Sequence, residues 1–270
     1  MTINTHEGKT MTAQKFVSFL AEEKKVQYPH VHLCFDDHSV SNWHAARDLF
    51  VEHKAKAVFY VDSFHLLTDK DLDMLSDLRS DGHVIGCHGK THRDALSYAR
   101  MYDVDRYIED EILPAMEDMA GAGFKPTHFA FPLSRFDEEL YRRVCPMFCY
   151  VRPGNESHYY QGDRMYFKPD RLKGSEDTRE HRIRRGKLQG VLAGLADTAK
   201  AMKGISLVMH DIRPHADAPA HAGTHARLYV VREELSEILK TIKSTGFQYQ
   251  TFEDVCEYGV DPFDKPEALP

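Results

Sequence analysis

The stretch "VHLCFDD" (residues 31–37) joins five mostly apolar residues to two adjacent aspartates. Short apolar runs of this length, bounded by polar residues, read as buried strands. A parallel strand covered on both faces is nearly continuous in its hydrophobicity rather than alternating. The paired carboxylates then sit at the carboxyl end of a strand, and their mutual repulsion demands a positive partner.

From this strand the chain alternates apolar runs with amphipathic segments, the pattern of βα units. A helix is expected over 41–54, where Trp43, Ala46, Leu49 and Phe50 recur at three- and four-residue spacings, and "AVFYV" (57–61) is the second strand. Helix 69–81 follows, its "TDKD" start suiting a cap and the helix dipole. "HVIGC" (83–87) is the third strand, and 103–123 a helix that Pro114 should kink or break. "THFAFP" (127–132) is a strand, 137–144 a helix and "MFCYV" (147–151) a strand. The polar segment 152–186 reads as a long loop with one short strand at "MYF" (165–167). Helix 187–202, strand 204–210, helix 232–246 and strand 247–252 complete the pass. Without a dinucleotide-binding glycine fingerprint, about seven strands alternating with helices predict an α/β fold, a closed or nearly closed (β/α) barrel rather than an open sheet. The chain is expected to be one domain over 1–270. The barrel would span 30–255 and an N-terminal extension with a helix would span 1–29.

Composition narrows the function classes. Hydrophobic residues make up 42% and charged residues 29%, a globular balance. The net charge of −7 argues against a nucleic-acid surface. No window reaches the roughly eighteen apolar residues of a membrane helix. The N-terminal residues lack a secretory leader pattern, so a cytoplasmic location is expected, with a trimmed secreted form as the alternative. The five cysteines, an odd number, read as structural thiols in a reducing compartment rather than a disulfide framework. The chain also holds 17 histidines, several concentrated in 83–92 and 210–225, and imidazole is a common metal ligand.

The chemistry-bearing residues fall at strand ends: Asp36 and Asp37 after the first strand, His88 and His92 after the third, Pro132 after the fourth, and His210 with Asp211 after the run at 204–210. In a barrel these ends share one face, where active sites are built. The histidines of "HGKTH" (88–92), four apart, would share one face of a helical turn and grip one cation. A neighbouring carboxylate would complete a His, His, Asp site with positions left open for water and substrate. One aspartate would then be a ligand and the other a general base.

The ordered set "FDDH" (35–38), "HGKTH" (88–92), "FAFPLSRFD" (129–137) and "SLVMHD" (206–211) resembles the polysaccharide deacetylases, the NodB-homology or carbohydrate esterase family 4 domain. The resemblance implies a distorted (β/α) barrel of NodB-homology type and removal of the acetyl group from N-acetylated sugars with a divalent metal. Zinc is the expected ion, with cobalt, nickel and manganese as alternatives. It further implies Asp36 as catalytic base, Asp37, His88 and His92 as metal ligands, and His210 as general acid. The backbone N–H of Leu133, just after Pro132, would serve with the metal as oxyanion donor. The expected partner is a carbohydrate, with a small non-sugar amide or cyclic imide as the alternative substrate. A sugar-binding relative with weak catalysis is the alternative from a different class, and the oligomeric state is not readable.

The chain departs from the family pattern in places. His38 follows the two aspartates where many members have glycine, and Ala130 stands where many have an arginine that orients the base. Arg135 reads as an exposed residue at a helix start, and Asp170 is the only candidate for the aspartate that tunes the acid histidine. Asp211 should point away from the site by strand alternation. His32, His83 and His128 read as satisfied core residues. Loop residues His215 and His221 fit a polar loop, and His225 is evenly balanced between that and a cleft-lining role. Tyr159, Tyr160, Tyr166 and Phe167 suit either sugar stacking or loop packing, and the arginines of 178–187 read as solvated surface.

Overall fold

The computed structural model describes residues 2–4, 10–12, 29–152, 180–182, 188–200, 204–215 and 228–251. Within the N-terminal extension, β1 (Thr2–Asn4) and β2 (Thr10–Thr12) pair antiparallel, and the rest of residues 1–28 lies outside the described set.

The central strand is β3 (His30–Asp37), all eight residues of which are buried. It runs two residues beyond the apolar stretch, so both aspartates belong to the strand itself. The other members of the main sheet are β4 (Val58–Val61), β5 (Val84–Cys87), β6 (His128–Ala130), β7 (Tyr150–Arg152), β8 (Glu180–Arg182) and β9 (Gly204–Met209). All are parallel neighbours in the order β7-β6-β5-β4-β3-β9-β8. A short strand, β12 (Gln248–Tyr249), pairs with the start of β3.

The sheet is curled into a half-barrel. Four strand spacings of about 4.8 Å would hold β3 and β7 about 19 Å apart in a flat sheet. Yet Arg152 of β7 reaches Asp36 of β3 at 2.6 Å, and the Tyr150 ring packs on His32 with centroids 5.2 Å apart. Curling creates two apolar layers. A small inner cluster holds Cys34, Val58, Tyr60, Val84, Ala130 and Val208. The larger outer cluster joins Leu33, Phe35, Phe59, Ile85 and Phe129 to helix residues such as Trp43, Phe50 and Leu75. One inner position must be glycine, because a Cβ on Gly86 would stand 2.8 Å from the Tyr60 ring and 3.2 Å from His128 Cβ.

The helical expectation over 41–54 resolves into α1 (Val40–His44) and α2 (Arg47–His53). Helix α3 (Asp69–Ser80) opens on a capping box between Thr68 and Asp71, as its sequence predicts. A helix that the sequence reading passed over, α4 (Ala95–Met101), is capped by Asp94. Over 103–123 the chain forms α5 (Val104–Tyr107), a π-helical turn (Ile108–Ile112) and α6 (Leu113–Gly121). Pro114 cannot donate to the carbonyl four residues back, and the widened turn ends just before it. Helices α7 (Glu138–Val144), α8 (Leu188–Lys200) and α9 (Arg232–Ser244) follow.

Three further differences concern strands. The fifth expected strand shifts from 147–151 to Tyr150–Arg152, which carries Arg152 to the site end of the sheet. Residues Glu180–Arg182, inside a segment expected to be loop and solvated surface, pair with β9. Residues Asp211–Arg213 (β10) and Tyr229–Val231 (β11) form a separate parallel pair. The strand expected at 165–167 lies outside the described residues. Cys34, Cys87, Cys145 and Cys149 are buried free thiols, and no described helix is long and apolar enough to cross a membrane.

Candidate active site

The carboxyl ends of β3, β5, β7 and β9 converge, and the two aspartates of β3 reach the same place by different means. Asp36 shares the inner face with Cys34. Strand alternation alone would send Asp37 to the outer face, but its φ is +78°. Aspartate is among the few residues that tolerate this left-handed region, and such conformations concentrate at functional sites. Through that turn, both carboxylates border His88: Asp36 Oδ2 lies 4.0 Å and Asp37 Oδ1 3.9 Å from its Nε2.

Asp37, His88 and His92 each present a ligand atom, all within 4.8 Å of one another. Asp37 Oδ1 is 3.3 Å from His92 Nε2. It is buried without a well-formed hydrogen bond to any described residue, a costly state for a carboxylate oxygen. His88 Nδ1 donates to the carbonyl of Ala130 at 2.8 Å, which leaves Nε2 as the lone-pair nitrogen facing Asp37. A backbone carbonyl behind a histidine in this way is the usual support of a metal ligand. Tetrahedral bonds of about 2.0–2.1 Å set ligand atoms about 3.4 Å apart; here Asp37 Oδ1 stands 3.3 Å from His92 Nε2 and 3.9 Å from His88 Nε2. The residues fit a divalent cation.

The two imidazoles do not come from a helical turn. Residues 88–94 are non-helical, and the ring centroids are brought to 5.0 Å by left-handed backbone at Gly89 (φ +83°) and His92 (φ +57°). Spacing of four residues suggested a helix, but the first helix after β5 begins only at Ala95, behind the Asp94 cap.

Asp36 is held by Arg152. The guanidinium donates to both carboxylate oxygens, at 2.6 and 2.7 Å, and both side chains are buried. Burial raises the Asp36 carboxyl, but the charge and hydrogen bonds of Arg152, with His88 and His210, hold it well below the ordinary carboxylate range. Burial likewise raises Asp37, and the contacts with His92, His210 and His88 bring it down. Burial lowers His88. His92 moves up, because burial, which lowers it, is outweighed by Asp37, Asp62 and Asp36. His210 is close enough for its charge to act on both aspartates. Its carbonyl accepts the Trp43 indole N–H at 2.6 Å. Asp211 points away, as alternation predicts, and accepts from Asn42 and Arg213.

Pro132 opens a short turn in which Leu133 (φ +59°) and Ser134 (φ +51°) are both left-handed. Arg135 is half exposed and paired with Asp94 at 2.6 Å, so it does not take the place of the missing arginine. The arginine that does reach Asp36 is Arg152, which the sequence reading missed: it lies beyond the quoted motifs, on a strand expected at 147–151 and found at Tyr150–Arg152. His38 Nδ1 donates to the buried Asp62 carboxylate at 2.7 Å. His32, His83 and His128 are core residues as expected, and His215 is exposed. Asp170, His221, His225 and the aromatic group 159–167 lie outside the described residues.

A family comparison matches residues 23–145 to "polysaccharide deacetylase". Residues 23–145 carry the polysaccharide deacetylase pattern. The stretch includes Asp36, Asp37, His88, His92, Pro132 and Leu133, and ends before Arg152 and His210. In fold, the chain is similar to peptidoglycan deacetylase PdaC from Bacillus subtilis, with a TM-score of 0.51 at 15% identity over 86% of this chain and 94% of the other. It is also similar to wild-type BA3943, a CE4 family pseudoenzyme from Bacillus anthracis, with a TM-score of 0.52 at 16% identity over 83% of this chain and 63% of the other. These likenesses show the fold that the chains share, a parallel sheet curled into a half-barrel with helices outside. No curated protein matches the chain.

Proposed function

We propose that this protein is a metal-dependent hydrolase that removes the N-acetyl group from an amino-sugar. The observation that carries the reading is the buried Asp37 oxygen facing two imidazole nitrogens, at 3.3 Å from His92 and 3.9 Å from His88, beside a second carboxylate gripped by an arginine. Asp37, His88 and His92 would hold the cation, zinc being the first choice for one carboxylate and two imidazoles. When bound, such a cation lowers the pKa of water and polarises the amide carbonyl.

The chain's own residues supply the remaining roles. Asp36 stays ionised and accepts the proton of the attacking water. Arg152 fixes the carboxylate's orientation and keeps it charged. The Leu133 N–H donates to the oxyanion as it develops. His210 gives its proton to the departing amine, and Trp43 anchors its backbone. The alternative, a sugar-binding relative with weak catalysis, draws on His38 in place of glycine, the arginine absent from "FAFP" and the unplaced aspartate that tunes the acid histidine; the bidentate Arg152 contact weakens only the second ground.

The test is acetate release from N-acetylglucosamine oligomers by the zinc-loaded protein and by Asp36→Asn. The reading expects turnover in the former and a loss of about 10²–10⁴-fold in the latter. Acetate release that survives Asp36→Asn, or no release with any divalent metal, would overturn it.

A further inference from the structure

The strongest unassigned feature is Glu111, a carboxylate only 2% exposed, in the middle of the π-helical turn. Three acidic residues stand in a row there. Glu109 and Asp110 face outward and pair with Arg106 at 3.8 and 2.7 Å. Glu111 turns inward, onto the loop between His88 and His92. Its Oε2 accepts the Thr91 N–H at 2.8 Å, its Oε1 accepts the Thr91 hydroxyl, and Arg93 Nε stands 3.2 Å away. The Glu111 carbonyl also accepts the Lys90 N–H at 3.0 Å.

Every residue from 90 to 93 except His92 is therefore tied to Glu111, and His92 is the one with strained backbone. Gly89 lies between the clamp and the Pro132 turn: a Cβ there would stand 3.5 Å from Pro132 Cγ and 3.6 Å from Glu111 Oε2. A charge so deeply buried persists only when its partners satisfy it. Here those partners are nearly all parts of the loop that presents the two imidazoles.

We infer that Glu111 is a positioning residue that preorganises the His88–His92 loop and thereby sets the protein's affinity for its cation. The inference rests on the proposed reading of Asp37, His88 and His92 as ligands. Partners that orient ligands without touching the ion contribute roughly 10–100-fold in metal affinity.

The experiment titrates the chelator-stripped full chain with cobalt(II), following the visible absorption that reports ligand geometry at the ion. Glu111→Gln is expected to bind cobalt roughly 10–100-fold more weakly, with an altered band, while the metal-free melting temperature stays near that of the unmodified protein. Unchanged affinity and an unchanged band would overturn the inference. Should Glu111→Gln fail to fold, Thr91→Val removes one clamp contact from the exposed side, and cobalt affinity equal to that of the unmodified chain would overturn it as decisively. Asp37→Ala separates the two levels. If it binds cobalt as well as the unmodified chain, the ion is not at this site and the functional reading falls as well. If it loses cobalt while Glu111→Gln does not, only the role of Glu111 fails.

Discussion

Asp36 and Asp37 are neighbours in sequence with different environments: one is gripped by Arg152, the other faces His88 and His92, with the three ligand atoms within 4.8 Å of one another. Removing the arginine should expose what this arrangement costs. Arg152→Leu leaves a buried carboxylate without its counter-charge, so chemical denaturation at pH 7 should show a loss of about 3–5 kcal/mol. The double replacement Arg152→Leu with Asp36→Asn should recover part of it, since no charge is then stranded. The aspartate pair and the histidine pair are legible in the sequence, because chemistry confines them to a few residue types at short spacing. Arg152 is not, because its role depends on a strand four places away across a curled sheet.

At the level of elements, the π-helical turn, the left-handed residues and one glycine decide where side chains point. None of these has a periodic signature. The βα alternation was readable because burial imposes it along whole segments, whereas α4, β8, β10 and β11 are too short or too polar to announce themselves. Gly86 offers a check on the inner layer. Its Cβ-less backbone accepts the Tyr60 ring, which in turn lies under the Arg152 guanidinium with 4.9 Å between the ring centre and Cζ. Gly86→Ala should therefore destabilise the protein by about 1–3 kcal/mol through overpacking. Acetate release should fall further than that stability loss accounts for, as measured at a temperature where the variant remains folded.

For the molecule as a whole, the buried core histidines set a pH dependence. His83 and His128 are each pushed down to about 4 by burial. His83 Nδ1 accepts the Ala57 N–H, a role open only to the neutral ring. Both groups bind protons more readily in the unfolded chain, so stability falls as pH drops below about 6.5 and the loss is complete near 4. Each contributes up to roughly 3 kcal/mol over that window. Denaturation at pH 7 and pH 5 should show the decline, and His128→Gln should make it shallower. The direct test of the central claim is an anomalous difference map from crystals grown with zinc. The account predicts one peak bonded to Asp37, His88 Nε2 and His92 Nε2 at about 2.0–2.2 Å. A saturating zinc concentration that leaves no peak among those three side chains would contradict it.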